Sequence, residues 1–238
     1  FDTIRISAGY QGLDLTSTAF SPRYVTDFED TYGNSFGDIV VSASWRRDSR
    51  NKILFPDSGS LQSIAMESTI PGSGLEYYKL DYTQQQFLQL TKDLTLGLKG
   101  RLAYGDGYGD FEAIPFFENF FAGGIRSVRG FEDNTLGPRD EFGEAIGGSF
   151  LTVFNAEIIF PVPFAEAANS TRLSAFVDVG NVFTDVNTFD AGELRYSAGL
   201  AGVWASPLGP ISVSLGFPLN AKDGDDEQKF QFTIGTFF

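Results

Sequence analysis

The stretch LTLGLKGRLAY, residues 94–104, decides the fold class, because it alternates: Leu94, Leu96, Leu98, Leu102 and Tyr104 are apolar, whereas Thr95, Gly97, Lys99, Arg101 and Ala103 are small or charged. A period of two places these sets on opposite faces of one β-strand. The same reading fits Ile4, Ile6, Ala8 and Tyr10 against Arg5, Ser7 and Gly9, and Ile211, Val213, Leu215 and Phe217 against Ser212, Ser214 and Gly216. It fits again at the end of the chain, where Phe230, Phe232, Ile234 and Phe238 face away from Gln231, Thr233 and Gly235.

Composition agrees with strands and turns: 25 Phe, 9 Tyr and 27 Gly stand against a single Met in 238 residues. The pattern predicts about ten strands, at 2–11, 37–50, 60–71, 76–90, 93–105, 148–160, 171–184, 193–205, 210–219 and 227–238. Long gaps at 12–36 and 106–147 fall after odd-numbered strands, and short turns such as FPDSG, TK and SPLGP follow even-numbered ones. An even count of amphipathic strands with long loops on one side is the pattern of a transmembrane antiparallel β-barrel, which satisfies every backbone group in lipid by closing on itself. A soluble β-sandwich also alternates. Aromatics at strand ends (Trp45, Tyr77, Tyr78, Tyr104, Trp204, Phe237 and Phe238) favour the barrel, since they fit girdles at the two membrane interfaces. The whole of 1–238 reads as one outer-membrane barrel domain without periplasmic domains.

No run of about 18 apolar residues could cross a bilayer as a helix. No basic-then-apolar leader stands at the start, so a signal peptide is expected to have been removed or the chain to be an excised piece. The absence of cysteine removes disulfides, thiolate metal sites and cysteine nucleophiles. A net charge of −14 argues against a nucleic-acid partner, which needs clustered Lys and Arg.

Within this all-β pattern one segment has neither period: GGIRSVRGFEDNTLGP at 123–138, with glycines at 123, 124, 130 and 137 where the backbone can turn sharply. Its VRGF, Val128, Arg129, Gly130 and Phe131, resembles the signature of the large loop in the bacterial outer-membrane assembly and translocation superfamily. The stretches YGDGYG at 104–109, PFFENFFAGG at 115–124, NTLGP at 134–138, SPLGPISVSLGFPL at 206–219 and KFQFTIGTFF at 229–238 carry the same resemblance in order and spacing along nearly the whole chain.

The resemblance implies that this loop folds into the barrel lumen and that its arginine pairs with acids on the next two strands, here Glu157 in FNAEIIF and Asp178 in FVDVG. Parity agrees for Asp178, which shares a face with Arg172, Ser174 and Gly180 opposite Leu173, Ala175, Val177 and Val179. A carboxylate facing lipid is expensive, which favours an inward Glu157 as well, with Leu151, Val153 and Ile159 on its face. The final strand, with Phe230, Phe232, Ile234, Phe237 and Phe238, looks like the sorting signal of outer-membrane barrels.

Members of the superfamily typically have about sixteen strands behind periplasmic domains. This chain is therefore expected to be an N-terminally truncated barrel. In the family the first and last strands meet at a weak seam, for which this chain offers Ile4, Ile6, Ala8 and Tyr10, unless the last strand's partner belongs to another molecule.

Motifs that could suggest an enzyme lack parts. GNSFG at 33–37 matches a nucleophile pattern, but with no His the base is missing. GDGYGD at 105–110 is followed by no helix, and DGDDE at 223–227 lacks calcium-loop spacing. No enzymatic activity, cofactor or metal is expected. The resemblance implies an integral protein of the Gram-negative bacterial outer membrane that folds and inserts other outer-membrane proteins, with membrane lipid, unfolded clients and accessory assembly lipoproteins as partners. The alternative is a passive scaffold or a translocation pore of the two-partner secretion type.

Overall fold

The computed structural model describes residues 2–162, 170–207 and 209–235. Its strands are β1 (Asp2–Asp14), β2 (Ser35–Asp48), β3 (Gly59–Thr69), β4 (Tyr77–Gln89), β5 (Thr95–Gly107), β6 (Gly130–Phe131), β7 (Phe150–Pro161), β8 (Thr171–Phe183), β9 (Arg195–Ser206), β10 (Gly209–Pro218), β11 (Glu227–Gln228) and β12 (Phe230–Ile234). Ten of them form one antiparallel sheet in the order β1-β2-β3-β4-β5-β7-β8-β9-β10-β12, a meander in which each strand pairs with its neighbours in the chain. β6 and β11 stand apart as a two-stranded ladder.

Burial in this sheet runs opposite to that of a soluble domain. Leu102, Phe154, Val177, Leu200, Val213 and Phe232 are exposed, whereas Asn155, Ser174, Asp178, Ser197, Ser212, Ser214 and Gln231 on the alternate positions are buried. Water would penalise the apolar face; lipid does not, and the polar residues are enclosed on the other side, hereafter the inner face. Trp204 is half exposed at the end of β9, and Tyr78 and Tyr104 pair edge to face at 6.0 Å at neighbouring strand ends. Tyr77, expected in the aromatic girdle, is instead buried, with its hydroxyl directed at Glu67.

Three features differ from expectation. The gap at 12–36 holds a helix, α1 (Arg23–Tyr32), where only a loop was expected. Tyr24, Phe28 and Tyr32 recur at a spacing of four, and Phe28 and Tyr32 pack on a cluster of Phe36, Leu75, Tyr77, Phe111 and Ile114. The Tyr32 and Phe111 rings stack at 4.3 Å. This cluster ties three loops together on the side of the long loops.

The strand expected over 227–238 is divided. Its first residues, β11, leave the sheet to pair with β6, and only β12 pairs with β10. Phe237 and Phe238 lie outside the described residues.

The expected seam is also absent: among the described residues no ladder joins β1 to β12. Ile4, Ile6 and Tyr10 are at least 72% exposed and Ala8 is exposed too, so β1 has lost shielding on both faces. The inner face is covered only where a loop lies against it, and that loop packs on the β5, β7, β8 and β10 side.

If the apolar face lies in lipid, Leu200→Arg near the middle of β9 is expected to destabilise the protein in vesicles by about 2–4 kcal/mol. Urea titration in phospholipid measures it. A change within about 0.5 kcal/mol, the usual range for a water-exposed surface position, would place this face outside the membrane.

Candidate functional site

The segment 108–149 between β5 and β7 crosses the inner face, and Arg129 is its innermost charge. β7 and β8 provide its seat. Their register sets Asn155 beside Asp178 and Glu157 beside Phe176, and the period of two turns all four side chains inward as the corners of one square. Arg129 lies over that square. Its Nε and Nη2 donate to the two carboxylate oxygens of Asp178, each at 2.7 Å, and its Nη1 pairs with Glu157 Oε1. The guanidinium carbon sits 3.5 Å from the centre of the Phe176 ring, so the fourth corner supplies a cation–π face.

Asp178 is wholly buried and accepts two further hydrogen bonds, from the Arg129 backbone N–H at 3.0 Å and from Asn155 Nδ2 at 2.8 Å. Asn155 Nδ2 also donates to Ser127 O at 2.7 Å, so the same amide holds the backbone just ahead of the arginine. Burial works against the Arg129 cation, but the hydrogen bonds from its guanidinium to Asp178 and the charge of Glu157 leave its pKa raised above the ordinary value. The guanidinium fork is suited to this seat; an ammonium could not fill it.

Above the ion pair the loop builds an apolar core against the strands. Phe120, Ala122, Val128, Phe131 and Leu136 of the loop meet Ala103, Leu151, Val153 and Val182. This explains why Leu151 and Val153 are apolar on the same face as Glu157: their neighbour is the loop rather than water. Below the loop, a cavity of about 540 Å³ has Lys99, Arg126, Arg129 and Glu157 among its lining residues.

The loop also touches the sheet beyond β9. Gly130 and Phe131 pair with Gln228 and Glu227, and Glu132 N donates to Asp226 O at 2.8 Å. Gly130 has a φ of 91°, in the left-handed region that glycine tolerates. It lies against Gly216 of β10, where an added Cβ would stand 2.8 Å from the Gly130 nitrogen.

Each sequence-predicted residue of the lumen anchor is thus brought together: Val128 and Phe131 in the core, Gly130 in the ladder, and Arg129 on Glu157 and Asp178. Phe230, Phe232 and Ile234 project outward from β12, more than half exposed. Sequence reasoning missed Asn155, Phe176 and Gln231. The first two share parity with Glu157 and Asp178, two residues away on their own strands, and that signal was available. Nothing in the sequence places Gln231 against the loop.

Arg129→Ala leaves two carboxylates facing each other, one fully buried, which is expected to cost the loop's docking about 3–5 kcal/mol. The chain has no cysteine, so Leu136→Cys is a clean probe of the buried core. Its thiol is expected to be protected in the parent and reactive in the Arg129→Ala background, with partial protection restored by the pair Arg129→Asp and Asp178→Arg. Equal reactivity in all three would show that the apolar core alone seats the loop.

Comparison with known proteins gives this geometry a family. The Omp85 superfamily domain matches residues 2–238. The outer membrane protein assembly factor BamA of Neisseria meningitidis serogroup B is 37% identical over an alignment 273 positions long, which covers 98% of this chain and 34% of that protein. BamA of Nitratidesulfovibrio vulgaris is 35% identical over 144 residues, 59% of this chain and 17% of that protein. The crystal structure of Haemophilus ducreyi BamA lacking POTRA domains 1–3 matches with a TM-score of 0.87 at 26% identity, over 97% of this chain and 50% of that one. The chain spans about a third of the length of the Neisseria relative (34%). β1 and β12 form the two edges of the sheet and are not paired with each other among the described residues. With the match running from residue 2 to the end, and VRGF seated on the two inward carboxylates, the chain belongs to the Omp85 superfamily.

Proposed function

We propose that this chain is barrel material of an outer-membrane β-barrel assembly factor, which helps unfolded outer-membrane proteins fold and insert. The observation that carries the reading is the edge at β12. Its ladder to β10 runs over five residue pairs, Ile211 with Ile234 through Leu215 with Phe230, and its other side meets no strand among the described residues. An edge in lipid leaves backbone donors and acceptors without water, so an incoming strand that pairs there gains hydrogen bonds unavailable elsewhere in the hydrocarbon. Such assistance needs no bond to be broken and no cofactor. Membrane lipid, unfolded clients and, for a full-length relative, accessory lipoproteins are the partners of this reading.

The passive-pore reading is less well supported, because the loop and its apolar core cover the inner face on the β5, β7 and β8 side. Reconstitution in phospholipid vesicles distinguishes the two. Folding of an unfolded client barrel, followed by its heat-modifiable electrophoretic mobility, is expected to be severalfold faster than in empty vesicles. A peptide of sequence KFQFTIGTFF added in excess is expected to remove that acceleration by occupying the edge. Ion conductance without any acceleration would replace the assembly reading with the pore.

A further inference from the structure

Gln231 is the residue of the last strand whose side chain the loop needs. It is 5% exposed and inward on β12, opposite the parity of Phe230 and Phe232. Its Nε2 donates to Phe131 O at 2.7 Å, and its Oε1 accepts from Gly130 N at 3.4 Å. One primary amide thus offers Gly130 and Phe131 the donor and acceptor that a neighbouring strand would. It continues the ladder that Gln228 and Glu227 begin. Around it the same wall is fastened twice more: Arg139 Nη2 donates to Asp226 Oδ2 at 2.9 Å, and Arg195 Nε donates to Asp225 Oδ2 at 2.5 Å.

The geometry points to Gln231 as a positioning residue that couples the outer edge of the sheet to the VRGF loop. Arg129 grips β7 and β8; the residues directly after it are gripped by the last strand, beyond β9 and β10. The chain between these two holds is Arg129–Gly130–Phe131, too short to let one wall move without pulling on the other. Beside the five ladder pairs that join β12 to β10 among the described residues, this amide is a further hold on the strand. Displacing β12 must break the bonds to Gly130 and Phe131, and releasing Arg129 must loosen β12. A partner strand reaching β12 would therefore be sensed at Arg129, and the state of Arg129 would set how firmly β12 is held.

The coupling holds whether or not the chain assists insertion, because the test reads amide exchange rather than client folding. The full chain in phospholipid vesicles is compared by hydrogen exchange with Gln231→Leu, Gln231→Asn and Arg129→Ala. In Gln231→Leu, exchange is expected to rise about tenfold both at 130–132 and across 230–234, with the β3, β4 and β5 ladders unchanged. Gln231→Asn keeps the amide on a shorter stem and is expected to fall between. Arg129→Ala touches neither β11 nor β12, yet is expected to raise exchange across 230–234 as well. If Arg129→Ala frees 128–131 and leaves 230–234 as in the parent, the coupling does not exist. Should Gln231→Leu fail to fold, as faster exchange in β3, β4 and β5 would reveal, the Arg129→Ala arm decides alone.

Discussion

The structure depends on one buried carboxylate. Asp178 has no exposure to solvent, and a carboxylate there is tolerable only if donors surround it. Three of the four that do belong to Arg129, two from its side chain and one from its backbone, and the fourth is Asn155. The dependence runs both ways: Arg129 is buried as well, and among the described residues the carboxylates bonded to it are Asp178 and Glu157. A buried ion pair gains little net stability against an apolar substitute, but it is demanding about geometry. It fixes one point of a loop more than forty residues long to one point of the wall.

Fixing that point makes the rest of the loop's packing affordable in entropy. A segment such as 108–149 pays for ordering along its whole length, and a polar loop in water would not be ordered this way. With Arg129 seated, Val128 and Phe131 on either side of it are carried into contact with Leu151, Val153 and Val182, and apolar burial then holds the loop. The ion pair supplies position and the core supplies stability. Neither alone accounts for a loop that crosses from the β7–β8 wall to the β10–β12 wall.

Much of this was legible in the sequence, because barrel strands carry their period openly. Ten strands and their order follow from alternation such as Leu94 to Tyr104, and Asp178 could be turned inward by parity alone. What escaped detection had a different physical origin in each case. The helix Arg23–Tyr32 is held by aromatic contacts to Phe111 and its neighbours, far along the chain, and a ten-residue helix has too little intrinsic stability to announce itself. The division of the last strand at β11 is decided by the loop's backbone at Gly130 and Phe131, which compete with β10 for the same segment. Whether β1 would meet the last strand was left open by the sequence, because curvature belongs to the sheet and its filling, not to any one strand's pattern. Gln231 was readable as inward but not as a partner, since an amide's partner is set by what folds against it.

The two edges of the sheet are unequal, and the inequality has a direction. β1 is joined to β2 along thirteen paired positions, from Asp2 with Arg47 to Asp14 with Ser35, and is secure as a strand although both its faces are bare. β12 is joined to β10 along five among the described residues, and the Gly216 N–H to Lys229 O and Gly235 N–H to Pro210 O bonds continue the pairing at either end. An unpaired edge is a liability in any sheet and a greater one in lipid, where its backbone groups find no water. A short strand at such an edge would fray if the ladder were its only support. Here the inner side adds further holds through Gln231 and the β6–β11 ladder, which take hold of side chain and backbone. The last strand is thereby held from its inner side by the loop as well as along its ladder to β10.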